Sequence, residues 1–356
     1  MIYDVYAGSY TGPGGGAGLY HIKLDTKTLQ MNLVKAYSAE SDNPSFLAVK
    51  REHVYAVTER SDYGCISAFK RDPFTGCLEF QNQLRIAGTA MCHLTAWPDG
   101  KHLSAANYRS GSLVTCSLKE DGSIDTLCDK VQHEGVGFDS QDRQSMPHVH
   151  STVVSPDGKY LYAADLGLDW VACYEILEGG KLRLSEEERQ IKAIDGSGPR
   201  HFVFSDDGRF LYLVTEMGNH LLVYEGDDGK YKCVQQLSLL PPDFDGFDYG
   251  ADIHFSGDKK FLYASCRGRD CITVFRMDRK TGLAEPTGFY DTYGHWPRNF
   301  CITPDDSCLL IANQKEGNLV LCPRDPETGA VKAPAAELKF PQLAFVTAIE
   351  REENAK

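Results

Sequence analysis

A two-stranded unit that recurs along the whole chain limits what this sequence can fold into. Its clearest copy is Gly198-Pro199-Arg200-His201-Phe202-Val203-Phe204-Ser205-Asp206-Asp207-Gly208-Arg209-Phe210-Leu211-Tyr212-Leu213-Val214-Thr215-Glu216. Runs of Phe, Val, Leu and Tyr flank Asp207-Gly208, which predicts two packed strands joined by a tight turn. Arg200 and Glu216 then finish at the same end of the hairpin. The unit starts again at Pro44, Met91, Pro147, Ala251, Pro297 and Pro341, at intervals of 44 to 56 residues. Turn signals follow at Pro98-Asp99-Gly100, Pro156-Asp157-Gly158, Gly257-Asp258 and Pro304-Asp305-Asp306. Second strands recur as Val54–Glu59, Leu103–Tyr108, Leu161–Leu166, Leu262–Arg267 and Leu309–Gln314. A fixed period of this length is the mark of a repeat architecture.

The two ends of the chain complement each other. Ile2–Tyr10 matches the second strand of the unit with no first strand before it, and Gly18–Asp25 and Leu29–Tyr37 follow it as two more strands. Pro341–Ile349 supplies a first strand with nothing behind it. One C-terminal strand joining three N-terminal strands makes a shared seventh unit, which fastens a ring and buries both faces of every sheet. An open solenoid would instead want a polar cap at each end. The expectation is an all-β chain: one seven-bladed β-propeller domain over residues 1–356, with mostly four-stranded blades.

Composition narrows the partners. The chain has 356 residues and a formal net charge of −13, which argues against nucleic acid or an anionic membrane as a large-surface partner. Local arginines leave a small anionic ligand open. No apolar run approaches the ~20 residues needed to cross a bilayer, and no basic leader followed by an apolar run opens the sequence, so a cytoplasmic location is expected. The 12 cysteines include no CxxC pair. Cys116, Cys173, Cys271 and Cys322 lie in apolar strand segments and read as core thiols, with Cys77 a surface exception. The expectation is no required disulfide, no metal and no cofactor. His148, His150, Asp252 and His254 do not have the spacing of a local ligand set, and no nucleophile elbow, dinucleotide fingerprint or P-loop is visible.

Two stretches break the repeat. The longest connection, roughly 122–146, is rich in Gly and polar residues and reads as a functional rim or a tolerated surface loop. Leu240–Tyr249 is a second excursion. Residues 177–190 hold at most a turn of helix.

In a propeller the starts of first strands and the ends of second strands ring one opening of the central channel. The starts supply His93, His148, His150, Arg200, His201, Asp252, His254 and Arg298. The ends supply Glu59, Tyr108, Asp165, Glu216, Arg267 and Gln314. Arginines match phosphate or carboxylate geometry, while Glu216 or a histidine offers a general base. Each has a plainer alternative. Arg200 and Glu216 can be an ion pair internal to the hairpin, His148, His150 and His254 can be satisfied core histidines, and Asp165 can hold a loop amide. Strand alternation places His201 away from the face that Arg200 occupies.

The sequence resembles the seven-bladed propeller lactonases, the group that contains propeller-type 6-phosphogluconolactonases and fungal carboxy-cis,cis-muconate cyclases. The resemblance runs from Val5-Tyr6-Ala7-Gly8-Ser9-Tyr10 to the closing strand. It is strongest at Ala106-Asn107-Tyr108, Arg143-Gln144-Ser145-Met146-Pro147-His148-Val149-His150, Ala164-Asp165-Leu166-Gly167, Gly198-Pro199-Arg200-His201, Ala251-Asp252-Ile253-His254 and Pro297-Arg298-Asn299-Phe300. It implies catalytic roles for His150, Arg200, Glu216 and Arg267, with His148, Asp165, Asp252, His254 and Arg298 as substrate-binding neighbours. One departure is Cys266, where the family usually has asparagine before the arginine, which puts the placement of Arg267 in question. The resemblance implies hydrolysis of a small anionic sugar lactone, best 6-phospho-D-glucono-1,5-lactone. A carboxymuconate-type cyclase and a non-enzymatic binding scaffold remain the alternatives.

Overall fold

The computed structural model describes residues 1–38, 42–50, 52–227 and 229–352. Seven antiparallel sheets follow one another along the chain. Six are built from consecutive strands, such as Pro199–Phe204, Phe210–Thr215, His220–Asp227 and Lys230–Ser238. Six sheets have four strands, and the third blade gains a fifth, Ile191–Lys192, paired to Trp170–Ile176. The seventh sheet has the order expected from the termini: Leu343–Glu350 lies beside Ile2–Ser9, which pairs Leu19–Asp25 and then Gln30–Tyr37. Residues 177–190 contain two short 3-10 turns and, between them, Leu182–Leu184, the fourth strand of the third blade.

In four blades the first hairpin is closed locally by the same turn chemistry. Ser205 Oγ donates to Asp207 Oδ1 at 2.6 Å and accepts from the Phe210 N–H at 2.9 Å, while Asp207 Oδ1 also accepts from the Arg209 N–H. Ser155 with Asp157, Ser256 with Asp258 and Thr303 with Asp305 repeat this pattern. The next position is left-handed in every case: Gly158 and Gly208 adopt it freely, Lys259 and Asp306 despite their side chains.

Packing between blades is also repetitive. A buried tyrosine on the second strand of one blade donates to a glycine carbonyl in a turn of the next: Tyr6 to Gly76, Tyr55 to Gly122, Tyr212 to Gly282 and Tyr263 to Gly329, all at 2.6 to 2.9 Å. The phenol fills the inter-blade core with its ring and satisfies its own hydroxyl. Nine cysteines are buried among these strands, and Cys77 and Cys233 are exposed.

Ring closure carries a buried charge cluster. Asp4 accepts from Arg71 at 2.6 Å and from Arg351 Nε at 2.9 Å, and meets His21 at 2.8 Å. Burial pushes the Asp4 carboxyl up, but the bonds from His21, Arg351 and Arg71 prevail and hold it at about 2. The cluster joins the N-terminal strand, the first blade and the chain end.

Candidate active site

The innermost strands carry the site because they are bulged. Val149 pairs with Asp165 and Ser151 with Ala164, which leaves His150 as an extra residue. The same shift singles out Cys92, Arg200 and Arg298. In the fifth blade it falls across Ala251 and Asp252. A bulge re-aims a side chain and breaks the period of two. Arg200 and His201 are therefore both turned to the channel, at successive depths. The expectation that His201 faces away from Arg200 fails for this reason.

At the mouth, three arginines converge on one carboxylate. Glu216 Oε2 accepts from Arg200 Nε at 2.9 Å and lies 2.8 Å from Arg267 Nη2, and Glu216 Oε1 accepts from Arg143 at 2.7 Å. Arg200 is 1% exposed, and its Nη1 donates to the Ala251 carbonyl. Burial, then the charge of Arg267, presses the Arg200 guanidinium down to about 9, still protonated at neutral pH. Burial pushes the Glu216 carboxyl up, but Arg267, Arg200 and Arg143 hold it well below the usual carboxylate range. Arg267 also donates to the Gly250 carbonyl and lies over the rings of Tyr249 and Trp296. Its Nε is buried without a partner among the described residues. Cys266 points the other way, into the inter-blade core beside Leu239 and Cys271, so its replacement of asparagine leaves Arg267 in place.

A second charged group faces the first. Arg298 Nη2 lies 3.6 Å from Glu59 Oε2 and over the Tyr10 ring. Glu59 also accepts from Tyr10 OH at 2.7 Å and from Ser45 Oγ. The mouth thus holds four guanidiniums, Arg143, Arg200, Arg267 and Arg298, against two carboxylates, Glu59 and Glu216. His150 lies beside them, its ring 5.6 Å from that of Tyr108. Burial, followed by the charges of Arg200, His201, Arg298 and Arg267, holds its imidazole well below the ordinary value.

Other expected site residues go elsewhere. Asp165 is fully buried, and its Oδ1 accepts from the backbone N–H groups of His148, Gly167 and Leu168 while Oδ2 meets His133. It builds the rim loop. His148 stacks on Tyr108 and donates from Nδ1 to the Tyr108 carbonyl. Asp252 and His254 do not join the arginines. With His93 and His201 they line a cavity of 620 Å³ that extends to the hairpin-turn residues Pro156 and Lys259, at the opposite end of the channel. Each residue along a strand advances about 3.3 Å, so His254, two positions beyond Asp252, has already passed the mouth.

Arg143, Tyr249 and Trp296 are mouth residues that the repeat does not single out, and they are joined by Tyr10 and Ser45, which do fall at a second-strand end and a first-strand start. Arg143 and Tyr249 sit in the two stretches that break the period. The signal for Arg143 was its place in the Arg143–His150 run. Among the described residues, no group of three His, Cys, Asp or Glu side chains is arranged to hold a metal ion.

A closed ring of seven blades with four guanidiniums against two carboxylates at one end of its channel defines a propeller with a positively charged mouth. A family model described as "Lactonase, 7-bladed beta-propeller" matches residues 4–348, and the chain belongs to that family. It is 32% identical to the 6-phosphogluconolactonase of Bacillus subtilis over 331 residues, 92% of this chain and 93% of that protein. It is also 32% identical to the 6-phosphogluconolactonase of Formosa agariphila over 341 residues, 94% of this chain and 96% of that one. Among solved structures, the periplasmic gluconolactonase of Pseudomonas aeruginosa superimposes with a TM-score of 0.92 at 27% identity, covering 99% of this chain and 100% of its own.

Proposed function

We propose that this protein hydrolyses a small anionic sugar lactone, with 6-phospho-D-glucono-1,5-lactone the best single substrate. The observation that carries this reading is the surplus of guanidinium at the mouth, beside an imidazole with unbonded nitrogens. Arg298 is held only loosely by Glu59, at 3.6 Å, which leaves it free to take a phosphate or carboxylate oxygen. His150 is the base. A carboxylate bonded by three arginines is a poor proton acceptor, so Glu216 orients Arg200 and Arg267 instead. Water attacks the lactone carbonyl carbon as His150 takes its proton. The arginines stabilise the oxyanion. The carbonyl re-forms as the ring carbon–oxygen bond breaks, and the departing ring oxygen takes the proton back. The depressed basicity of His150 rises when the substrate's negative charge offsets the arginines.

A 6-phosphogluconolactonase and a gluconolactonase are both among the relatives, which supports phosphorylated and unphosphorylated gluconolactones alike. The same reading puts the reaction in the oxidative pentose phosphate route and in the cytoplasm. One relative is described as periplasmic, so the compartment does not follow from the fold. A pH-controlled assay with spontaneous hydrolysis subtracted tests the proposal on phosphorylated gluconolactone, unphosphorylated gluconolactone and a muconolactone. The expected result is a clear preference for the phosphorylated lactone. Equal rates on both gluconolactones remove the phosphate role, and turnover of the muconolactone alone makes the cyclase reading correct.

A further inference from the structure

Two ring nitrogens inside the channel are buried without a partner among the described residues: His150 Nδ1 and His201 Nε2. Their rings face each other at a centroid distance of 5.1 Å and an angle of 67°. The two nitrogens do not bond as placed, but rings at this distance can share an N–H···N bond once one of them turns. An imidazole has one donor and one acceptor nitrogen when neutral, so each ring's tautomer constrains its neighbour. Two buried polar atoms left empty side by side are costly, whereas one bond between them satisfies both.

The tautomers follow from the far end of the chain of contacts. His201 Nδ1 lies 2.7 Å from Asp252 Oδ1. Asp252 is anchored by Asn299 Nδ2, and the Asn299 amide is oriented in turn by accepting the Val346 N–H at 2.8 Å on Oδ1. His254 Nε2 meets the other Asp252 oxygen at 2.8 Å. Burial pushes the Asp252 carboxyl up, but His254 and His201 keep it well below the ordinary range, so it is a carboxylate and can only accept. His201 Nδ1 must therefore carry hydrogen. Burial, then Arg200, presses the His201 imidazole down to about 4, so at neutral pH the ring holds a single proton. Its Nε2 is a bare lone pair, and the His150 ring is a neighbour at 5.1 Å. The hydrogen that satisfies it belongs on His150 Nδ1, which leaves His150 Nε2 bare.

We propose that Asp252 and His201 are positioning residues that hold His150 in the Nδ1–H tautomer, so that Nε2 is the nitrogen that accepts the proton from water. This rests on the reading of His150 as the base. Asp252 and His201 act through His150 and do not touch the substrate. When His150 becomes charged, its Nδ1–H bond strengthens, and the Asp252 carboxylate two links away stabilises the cation.

The other charged and titratable groups facing this chain are Arg200, Arg267 and Arg298 above it, and Cys92, His93 and His254 around it. His93 is the competing donor. Its ring is 5.2 Å from His201, and its Nδ1 accepts from the Thr152 N–H at 3.4 Å, so its own hydrogen sits on Nε2.

Long-range proton–nitrogen spectra of histidine-labelled protein read the tautomers directly, with the His150 signal assigned by its loss in His150→Gln. The expected wild-type result is His150 as the Nδ1–H form and His201 likewise. Asp252→Asn offers an amide N–H to His201 Nδ1 and inverts the chain, so His150 moves to the Nε2–H form. Its kcat then falls ~10²–10⁴-fold with little change in KM, the size of a general-base effect. Asp252→Glu, which keeps an acceptor, restores both the tautomer and part of kcat. His93→Gln leaves the His150 tautomer in place. The proposal is overturned by an Nε2–H His150 in the wild type, which needs no variant to fold. It is equally overturned by an unchanged tautomer or kcat in folded Asp252→Asn, or by a His150 tautomer that follows His93→Gln. Full activity in His150→Gln would instead remove His150 as the base, which is a different failure.

Discussion

Asp4 and Glu216 are both buried carboxylates bonded by arginines, one where the ring closes and one at the channel mouth. Asp4 sits between Arg71, Arg351 and His21 where the ring closes, and Arg71 also bonds Tyr6 OH and the Glu350 carbonyl. Glu216 sits among Arg143, Arg200 and Arg267 at the channel mouth, where Arg143 is 30% exposed and Arg267 Nε has no partner among the described residues. The difference teaches that a buried ion cluster is no sign of function by itself. What separates the two is place and count: three arginines meet Glu216 at the end of the channel, while two meet Asp4 at the closing blade, where Asp4 and His21 are fully buried.

The largest expected effect breaks the comparison at both carboxylates. Asp4→Asn removes one partner of a sealed cluster and should lower stability by about 3–5 kcal/mol, while the folded fraction turns over lactone with an unchanged KM. Glu216→Gln should lower kcat/KM ~10²-fold or more, because the arginines lose their orientation. The two variants separate on adding inorganic phosphate: it should raise the Tm of Glu216→Gln by filling the vacated arginines, and leave Asp4→Asn where it was. Equal responses to phosphate in thermal melts would show that the two clusters are alike.

Acid sharpens the comparison next. The Asp4 carboxyl is lowered from an ordinary 3.8 to about 2. Its contribution is therefore present above about pH 4 and lost as pH falls toward 2. Denaturant titrations of the wild type should lose stability across that window, and Asp4→Asn should lose less. Activity should fail for another reason. His150 protonates well below the ordinary imidazole value of 6.5, so kcat/KM should stay level as pH falls through 6.5 and decline only further below.

The smallest effect concerns Arg143. Partly exposed and bonded to Glu216 and Tyr108, it should contribute to substrate capture more than to folding. Arg143→Ala should raise KM by a few-fold to about tenfold, with a stability change within ~1 kcal/mol. Steady-state kinetics beside thermal melts decide this. A loss of stability as large as that of Asp4→Asn would make Arg143 part of the frame.

The repeat, the turn chemistry and the complementary termini were legible in the sequence because each is local or periodic. Asp207-Gly208 and its counterparts close hairpins within a few residues, and Leu343–Glu350 needs only an unpaired partner strand to find its place beside Ile2–Ser9. The same register brought Arg200, Glu216 and Arg267 to one end of their blades. Three matters were decided only in three dimensions. The bulges at His150, Arg200 and Arg298 override strand alternation, and they turn both Arg200 and His201 to the channel. Depth along the axis separates Asp252 and His254 from the arginines although all belong to first strands. Arg143 reaches Glu216 from an insertion with no period to place it. Each depends on where a side chain lies relative to the common axis of seven sheets, and that axis exists only after the ring has closed.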